Sequence, residues 1–323
     1  MPLRIVFCGT PAFALPTLRH LIAQPDFQIE NVVTQPDRPR GRGRKTSGSP
    51  VKIVAMEAGI EVFQPESIRS EQSYDYFKRL SFDAVVIIAY GQIIPPPLIE
   101  LPRLGWINLH ASLLPKYRGA APMNWAIVNG ETCTGATTMS IDAGLDTGPT
   151  LHKHEVSIGA NETAPELSAR LAEAGAPLVA ETLRKLDKGD IAPTPQDDSQ
   201  ATFAPLLKKE DGRIDWSLPA QAIYNRIRGL QPWPGTFTSF RGKTCHIWGR
   251  PEPCATGGTG SIIPSPNSKH EPGTIRTRGI ETFIVCGERT VLQLEFAQLE
   301  GRKRVTARDF VNGARIEPGE RFR

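Results

Sequence analysis

A chain of 323 residues, 39% hydrophobic and 22% charged, is too long for one ordinary core and has the composition of a globular protein with two domains. No run approaches the ~20 consecutive apolar residues that a membrane-spanning helix needs, which argues against a membrane protein. The net charge of +4 is modest, yet residues 35–45, QPDRPRGRGRK, set Arg38, Arg40, Arg42, Arg44 and Lys45 against Asp37 alone, a surplus as large as the whole chain's and of a kind that attracts phosphates.

Residues 4–8, RIVFC, read as a short strand, and the following Gly9-Thr10-Pro11 predicts a helix to about residue 23, with Thr10 as N-cap and Pro11 at the first helical position. A second strand is expected over 29–35, a helix over 50–59, a third strand at IEVFQ and a helix at SYDYFKRL. DAVVIIAYG (83–91) is continuously apolar and rich in β-branched residues, as a parallel strand covered on both faces would be. GWINLHAS (105–112) is the next strand, 121–130 a helix, and 136–158 strands around a glycine-rich loop. Thr163 and Glu166 read as the capping box of a helix reaching about residue 186, interrupted at Gly175 and Pro177. The alternation predicts an α/β fold, a doubly wound and mostly parallel sheet with right-handed crossovers.

DKGDIAPTPQDDSQAT (187–202) has no periodicity and reads as a linker, so the expected division is a first domain over 1–189, a linker over 190–205 and a second domain over 206–323. Beyond it, a helix at 219–230 precedes short strands at TFTSFRG, KTCHIWG, PGTIRTRG, ETFIVCGE and TVLQLEFAQLEG, the spacing of a small barrel, with a long polar loop over 255–273. The N-terminus enters its first strand without a basic leader or apolar h-region, which predicts a cytoplasmic protein. Cys8, Cys133, Cys245, Cys254 and Cys286 are scattered without a CxxC pair, and His152 and His154 lack a third ligand. Reduced, buried thiols, surface histidines and no metal are expected.

Asn108 and His110 stand two apart in a strand and therefore share a face, while Ile107 and Leu109 point the other way. His110 lies at the carboxyl end of that strand, where ligands bind in open α/β sheets. Asn-x-His alone is weak evidence, because most buried histidines and asparagines only satisfy backbone groups. The second segment DAGLDTG (142–148) changes the balance, because its glycines turn the backbone and place Asp146 at the same sheet edge. An imidazole, a carboxylate and a carboxamide can move a proton and hold an oxyanion. No serine or cysteine occupies a nucleophile elbow, which favours direct acyl transfer over a covalent acyl-enzyme.

The string Asn108-Leu-His110 followed by SLLPKYRGAAP, and then IDAGLDTGP, resembles the signature of the folate-dependent formyltransferases. The insertion QPDRPRGRGRK and the stretch KKEDGRIDWS…NRIRGLQPWPG resemble the members that formylate initiator methionyl-tRNA for translation initiation, and the similarity runs across nearly the whole chain. The resemblance implies a Rossmann-like formyltransferase domain followed by an OB-like β-barrel, with 10-formyltetrahydrofolate as formyl-donating co-substrate. By the same resemblance, Asn108, His110 and Asp146 match the catalytic trio, and Ser112, Leu113, Leu114 and Pro115 the tetrahydrofolate-contacting turn. Tyr90, Gln92 and Ile94 fall where relatives hold the pterin. Arg42 matches the main arginine of the insertion, which meets the tRNA acceptor end; Arg38, Arg44 and Lys45 add cations, and Lys209 matches a lysine facing the tRNA. Leu206 stands where some relatives carry lysine. A monomer is expected. Two other readings remain, a formyltransferase for a sugar amine and a non-catalytic RNA-binding module.

Overall fold

The computed structural model describes residues 1–40, 45–252 and 271–323, with the backbone alone at 39, 40, 45 and 46. Arg42, Arg44 and residues 255–270 of the polar loop lie outside the described residues, as does the Lys45 side chain.

In chain order the elements are β1 (Leu3–Gly9), α1 (Leu15–Ala23), β2 (Phe27–Val33), β3 (Arg38–Arg40), β4 (Lys45–Ser47), α2 (Pro50–Glu57), β5 (Val62–Phe63), α3 (Glu71–Arg79), β6 (Ala84–Ile88), α4 (Pro96–Ile99), β7 (Trp106–His110), α5 (Pro122–Val128), β8 (Cys133–Ser140), β9 (Thr150–Ser157) and α6 (Ala164–Lys188). There follow α7 (Ala220–Gly229), β10 (Phe237–Phe240), β11 (Lys243–Pro251), β12 (Ile275–Arg278), β13 (Glu281–Val285), β14 (Val291–Leu299), β15 (Val305–Thr306) and α8 (Ala307–Ala314).

Seven strands form one sheet in the order β5-β2-β1-β6-β7-β8-β9. The first five are parallel, as the alternation of strands and helices predicts, and β6, whose apolar run predicts a strand covered on both faces, is buried at every position. β8 pairs antiparallel with β7 after the connection 111–132 that contains α5, and β9 pairs antiparallel with β8 across the loop that follows Ser140, too short for a crossover. Strand β1 feeds β2 on one side while β6 lies on its other side, so the order reverses between β1 and β6, the switch point where such sheets leave a crevice. On one face, α6 runs unbroken for 25 residues with Pro177 inside it. Gly175 is required there: a Cβ would meet Leu109 Cδ2 at 2.5 Å, so this bare turn is where β7 packs its apolar side.

One expectation fails locally. Thr10 does not cap a helix; Ala12–Ala14 form a 3-10 turn and α1 starts at Leu15. The Thr10 hydroxyl instead donates to the Tyr90 carbonyl at 3.3 Å, joining the ends of β1 and β6.

The chain divides into two compact units. The first comprises 1–122, 133–158 and 166–205; the second comprises 123–132, 159–165 and 206–323. Residues 190–205, expected as a linker, belong to the first unit, with Thr194 paired to Thr150, and Thr202 and Ala204 bonded to Arg118.

In the second unit, β10-β11-β14-β13-β12 form an antiparallel sheet, with β15 added on β14. The chain end closes it into a barrel: Ile275 N donates to Glu320 O and Phe322 N to Gly273 O beside β12, while Ser239 and Arg323 exchange both backbone bonds beside β10. Phe322, 1% exposed, stacks on Trp216 and Phe310 and meets Phe240 inside. Helix α8, absent from the sequence-based expectation, is capped by Thr306 and buries Ala307 and Phe310.

Candidate active site

β7 ends at His110, and the period of two carries Asn108 and His110 to the face opposite Leu109 and α6. Asn108 is half-buried, and among the described residues its side chain has no hydrogen-bond partner. His110 is 6% exposed and held at both nitrogens: Nε2 lies 2.9 Å from the Tyr117 carbonyl oxygen and Nδ1 3.6 Å from Asp146 Oδ2. A carbonyl only accepts, so Nε2 carries a hydrogen and Nδ1 is the nitrogen turned toward the carboxylate. Asp146 Oδ2 also accepts from Gly119 N at 2.9 Å, whereas among the described residues Oδ1 has no partner. The Asp146 side chain is 14% exposed.

The loop 142–148 is shaped by close approach. A Cβ on Gly144 would lie 1.9 Å from Thr147 Oγ1, and one on Gly148 1.8 Å from Ser140 O. The left-handed conformation falls on Asp146 itself, at φ 53°, which aspartate tolerates better than most residues. Asp142 accepts from Gly144 N at 3.0 Å and Thr147 Oγ1 at 2.8 Å, bracing the first half. Gln196 Nε2 donates to Asp146 O at 2.9 Å and Gly148 O at 2.6 Å, bracing the second.

The turn after β7 is held from within. Ser112 is fully buried and donates to Lys116 O at 2.6 Å, its own carbonyl accepts from Thr137 Oγ1 at 2.7 Å, and Lys153 Nζ donates to Leu114 O at 2.6 Å. Leu114 is 1% exposed, while Leu113 and Pro115 are half-buried. Tyr90 and Ile94 sit in the apolar cluster of Val6, Cys8 and Trp106. Gln92 accepts from Ile68 N at 2.7 Å and ties two loops together.

At the switch point a cavity of about 310 Å³ opens at the carboxyl ends of β1, β2 and β6, lined by Thr10, Gln35, Asp37, Arg38, Ser49 and Tyr90. The base of the basic insertion forms its rim as the β3–β4 hairpin, with Arg38 exposed. Asp37 anchors that base through Lys52 Nζ at 2.5 Å and Gln64 Nε2 at 2.8 Å, and these donors hold its carboxyl below the usual range. Lys209, in the second unit, is exposed at the start of a 3-10 turn.

Of the two histidines of β9, His154 is exposed as expected, but His152 is half-buried, 3.3 Å from Thr182 Oγ1 and 3.2 Å from Lys185 Nζ. Burial, aided by the lysine, lowers its pKa. Among the described residues, no group of three His, Cys, Asp or Glu could hold a metal, and no helix is long and apolar enough to cross a membrane. Sequence reasoning missed Tyr117, Arg118, Gly119 and Gln196. The first three directly follow the turn that was singled out, but nothing in a polar aperiodic stretch marks Gln196.

Comparison with known proteins identifies the family. Residues 3–183 match the formyl transferase family model and residues 206–315 its C-terminal domain. A protein of Solibacter usitatus named methionyl-tRNA formyltransferase is 52% identical over 322 residues, covering 99% of this chain and 98% of the relative. One of the same name from Geobacter metallireducens is 48% identical, with 99% and 98% covered. Among solved structures, the sugar 3N-formyl transferase WlaRD superposes with a TM-score of 0.64 at 17% identity over 94% of this chain and all of that one, and the N-formyltransferase of Helicobacter canadensis with 0.63 at 18% over 93% and 100%. With both formyl transferase models matched and relatives near half identical end to end, the chain belongs to the methionyl-tRNA formyltransferase family.

Proposed function

We propose that the protein transfers the formyl group of 10-formyltetrahydrofolate to the α-amine of methionine esterified to initiator tRNA. The observation that carries the chemistry is the His110–Asp146 pair, with His110 Nε2 on the Tyr117 carbonyl and Asn108 on the same face of β7 without a hydrogen-bond partner among the described residues. Asn108, His110 and Asp146 act together. The amine nitrogen attacks the formyl carbon, and the Asn108 carboxamide donates to the oxyanion that forms. The charge of a protonated His110 adds to this from behind. Asp146 takes the amine proton directly or through a water, the bond from the formyl carbon to folate N10 breaks, and N10 is reprotonated.

The folate lies along residues 112–115, where Ser112 and Leu114 fix the backbone and Leu113 and Pro115 offer partly open surface, with Tyr90, Gln92 and Ile94 shaping the neighbouring wall. The acceptor end enters over the switch-point cavity, guided by Arg38, Arg42, Arg44 and Lys45, with Lys209 on the second unit. In this reading residues 1–189 carry the chemistry, 190–205 join the parts and 206–323 bind the tRNA. The protein works as a cytoplasmic monomer.

The test follows formyl transfer to charged initiator tRNA, charged elongator tRNA and a nucleotide-linked amino sugar at two salt concentrations. Transfer confined to initiator tRNA, with a KM that rises with salt, is expected, because phosphate contacts release counterions. Equal transfer to the amino sugar would overturn the assignment.

A further inference from the structure

We propose that Gln196 is a positioning residue for Asp146, acting through the backbone of the loop that carries it; the inference rests on the role assigned to Asp146 above. The Gln196 carboxamide nitrogen donates to Asp146 O and Gly148 O at 2.9 and 2.6 Å, and its oxygen accepts from Arg118 Nε and Nη2 at 3.1 and 2.9 Å. Carbonyls only accept and a guanidinium only donates, so a single amide orientation satisfies all four contacts. Arg118 is 4% exposed and, among the described residues, has one further side-chain partner, the exposed Asp198, whose Oδ1 lies at 2.7 Å. A buried guanidinium is costly without partners, so if Gln196 swung away it would leave Nε without an acceptor among the described residues and only Asp198 on Nη2.

The Arg118 backbone is pinned in turn, its N–H on Thr202 O at 2.9 Å and its carbonyl on Ala204 N at 2.7 Å. Its neighbours complete the site: Tyr117 O holds His110 Nε2, and Gly119 N holds the Asp146 carboxylate. Asp146 is therefore gripped from two sides, at its side chain by residue 119 and at its main chain by Gln196. The loop needs such a grip. Leu145 is 65% exposed and contributes no apolar anchor, and Asp146 sits at φ 53°, a conformation that persists where the surroundings impose it. The stretch that joins the two halves of the chain thus also supplies part of the catalytic scaffold.

Gln196→Glu tests this. It keeps the length and the acceptor for Arg118, so folding is retained, but turns the donor into an oxygen facing two carbonyl oxygens. A misplacement of about 1 Å can cost on the order of 100-fold in rate, and kcat is expected to fall by about 10- to 100-fold. The KM for formyl donor and charged tRNA, and the thermal midpoint, should change little. Gln196→Ala should act the same way if it folds. In an Asp146→Ala background, Gln196→Glu should produce no further loss, whereas a general structural defect would add to it. Normal turnover in Gln196→Glu, a KM rise for tRNA with kcat intact, or an additive loss in the double variant would each overturn the inference. Full turnover in Asp146→Ala alone would remove the role of Asp146 and this inference with it.

Discussion

His110 points Nδ1 at Asp146 Oδ2 across 3.6 Å while the Tyr117 carbonyl holds the Nε2 hydrogen across an N···O distance of 2.9 Å, so Nδ1 is the nitrogen left for proton exchange. Asp146→Asn keeps the shape and removes the carboxylate. Proton transfer by a positioned group is worth about 100- to 10,000-fold. Single-turnover formyl transfer should slow within that range, with binding of charged tRNA unchanged in a filter assay; an unaltered rate would exclude Asp146 as proton acceptor.

Asn108 differs from its neighbour in having no hydrogen-bond partner among the described residues. A donor waiting for an oxyanion behaves this way. Asn108→Ala should reduce kcat by about 100- to 1000-fold, the usual cost of one oxyanion donor, without moving the Kd for tRNA. If affinity fell in step with rate, Asn108 would belong to RNA binding.

Gly175→Ala sets two effects against each other. Alanine favours an exposed helix interior by about 1 kcal/mol over glycine. Here the new methyl would lie 2.5 Å from Leu109 Cδ2 in a buried contact, and overpacking costs about 1–3 kcal/mol. The clash should win, lowering the denaturation midpoint, and Leu109→Ala in the same chain should restore part of it.

Phe322 plugs the barrel of the second unit from the last turn of chain. Phe322→Ala should destabilise that unit by about 3–5 kcal/mol, read by denaturant unfolding followed through Trp216 fluorescence. A loss below about 1 kcal/mol would mean the strap closes the barrel by its backbone bonds alone.

Burial pushes the thiols of Cys245 and Cys286 up to about 12. In the unfolded chain they ionise near ~8.5. The folded state therefore binds more protons above that value, and stability is fully present below it and is lost as pH rises toward about 12. Urea midpoints should fall from pH 8 to pH 10, less steeply when both cysteines are replaced by alanine. Equal slopes would exclude these two thiols as the cause.

The parts of the fold that could be read in advance are those written in short-range periodicity. The alternation of strands and helices and the apolar run of β6 predict a mostly parallel sheet, and the two-residue spacing of Asn108 and His110 predicts a shared face. The glycines around Asp146 announced a tight loop, although close approach rather than left-handed backbone is what requires them. Thr10 departs from its expected cap because a threonine before a proline suits a helix cap locally, while its actual acceptor, Tyr90 O, lies 80 residues away. Helix α8 is only eight residues long and amphipathic against the barrel, too short for its pattern to stand out.

By itself the sequence determined which side chains face together along one strand, where the charge lies and how the elements alternate, because these follow from chirality, pleat and side-chain chemistry within a few residues. Only the tertiary structure decided which nitrogen of His110 meets Asp146, that Gln196 grips a loop 50 residues earlier, and that the chain end closes the barrel. Those outcomes depend on hydrogen bonds between groups that become neighbours only after the sheet has brought distant segments together, and a polar group in an aperiodic stretch carries no local mark of its eventual partner.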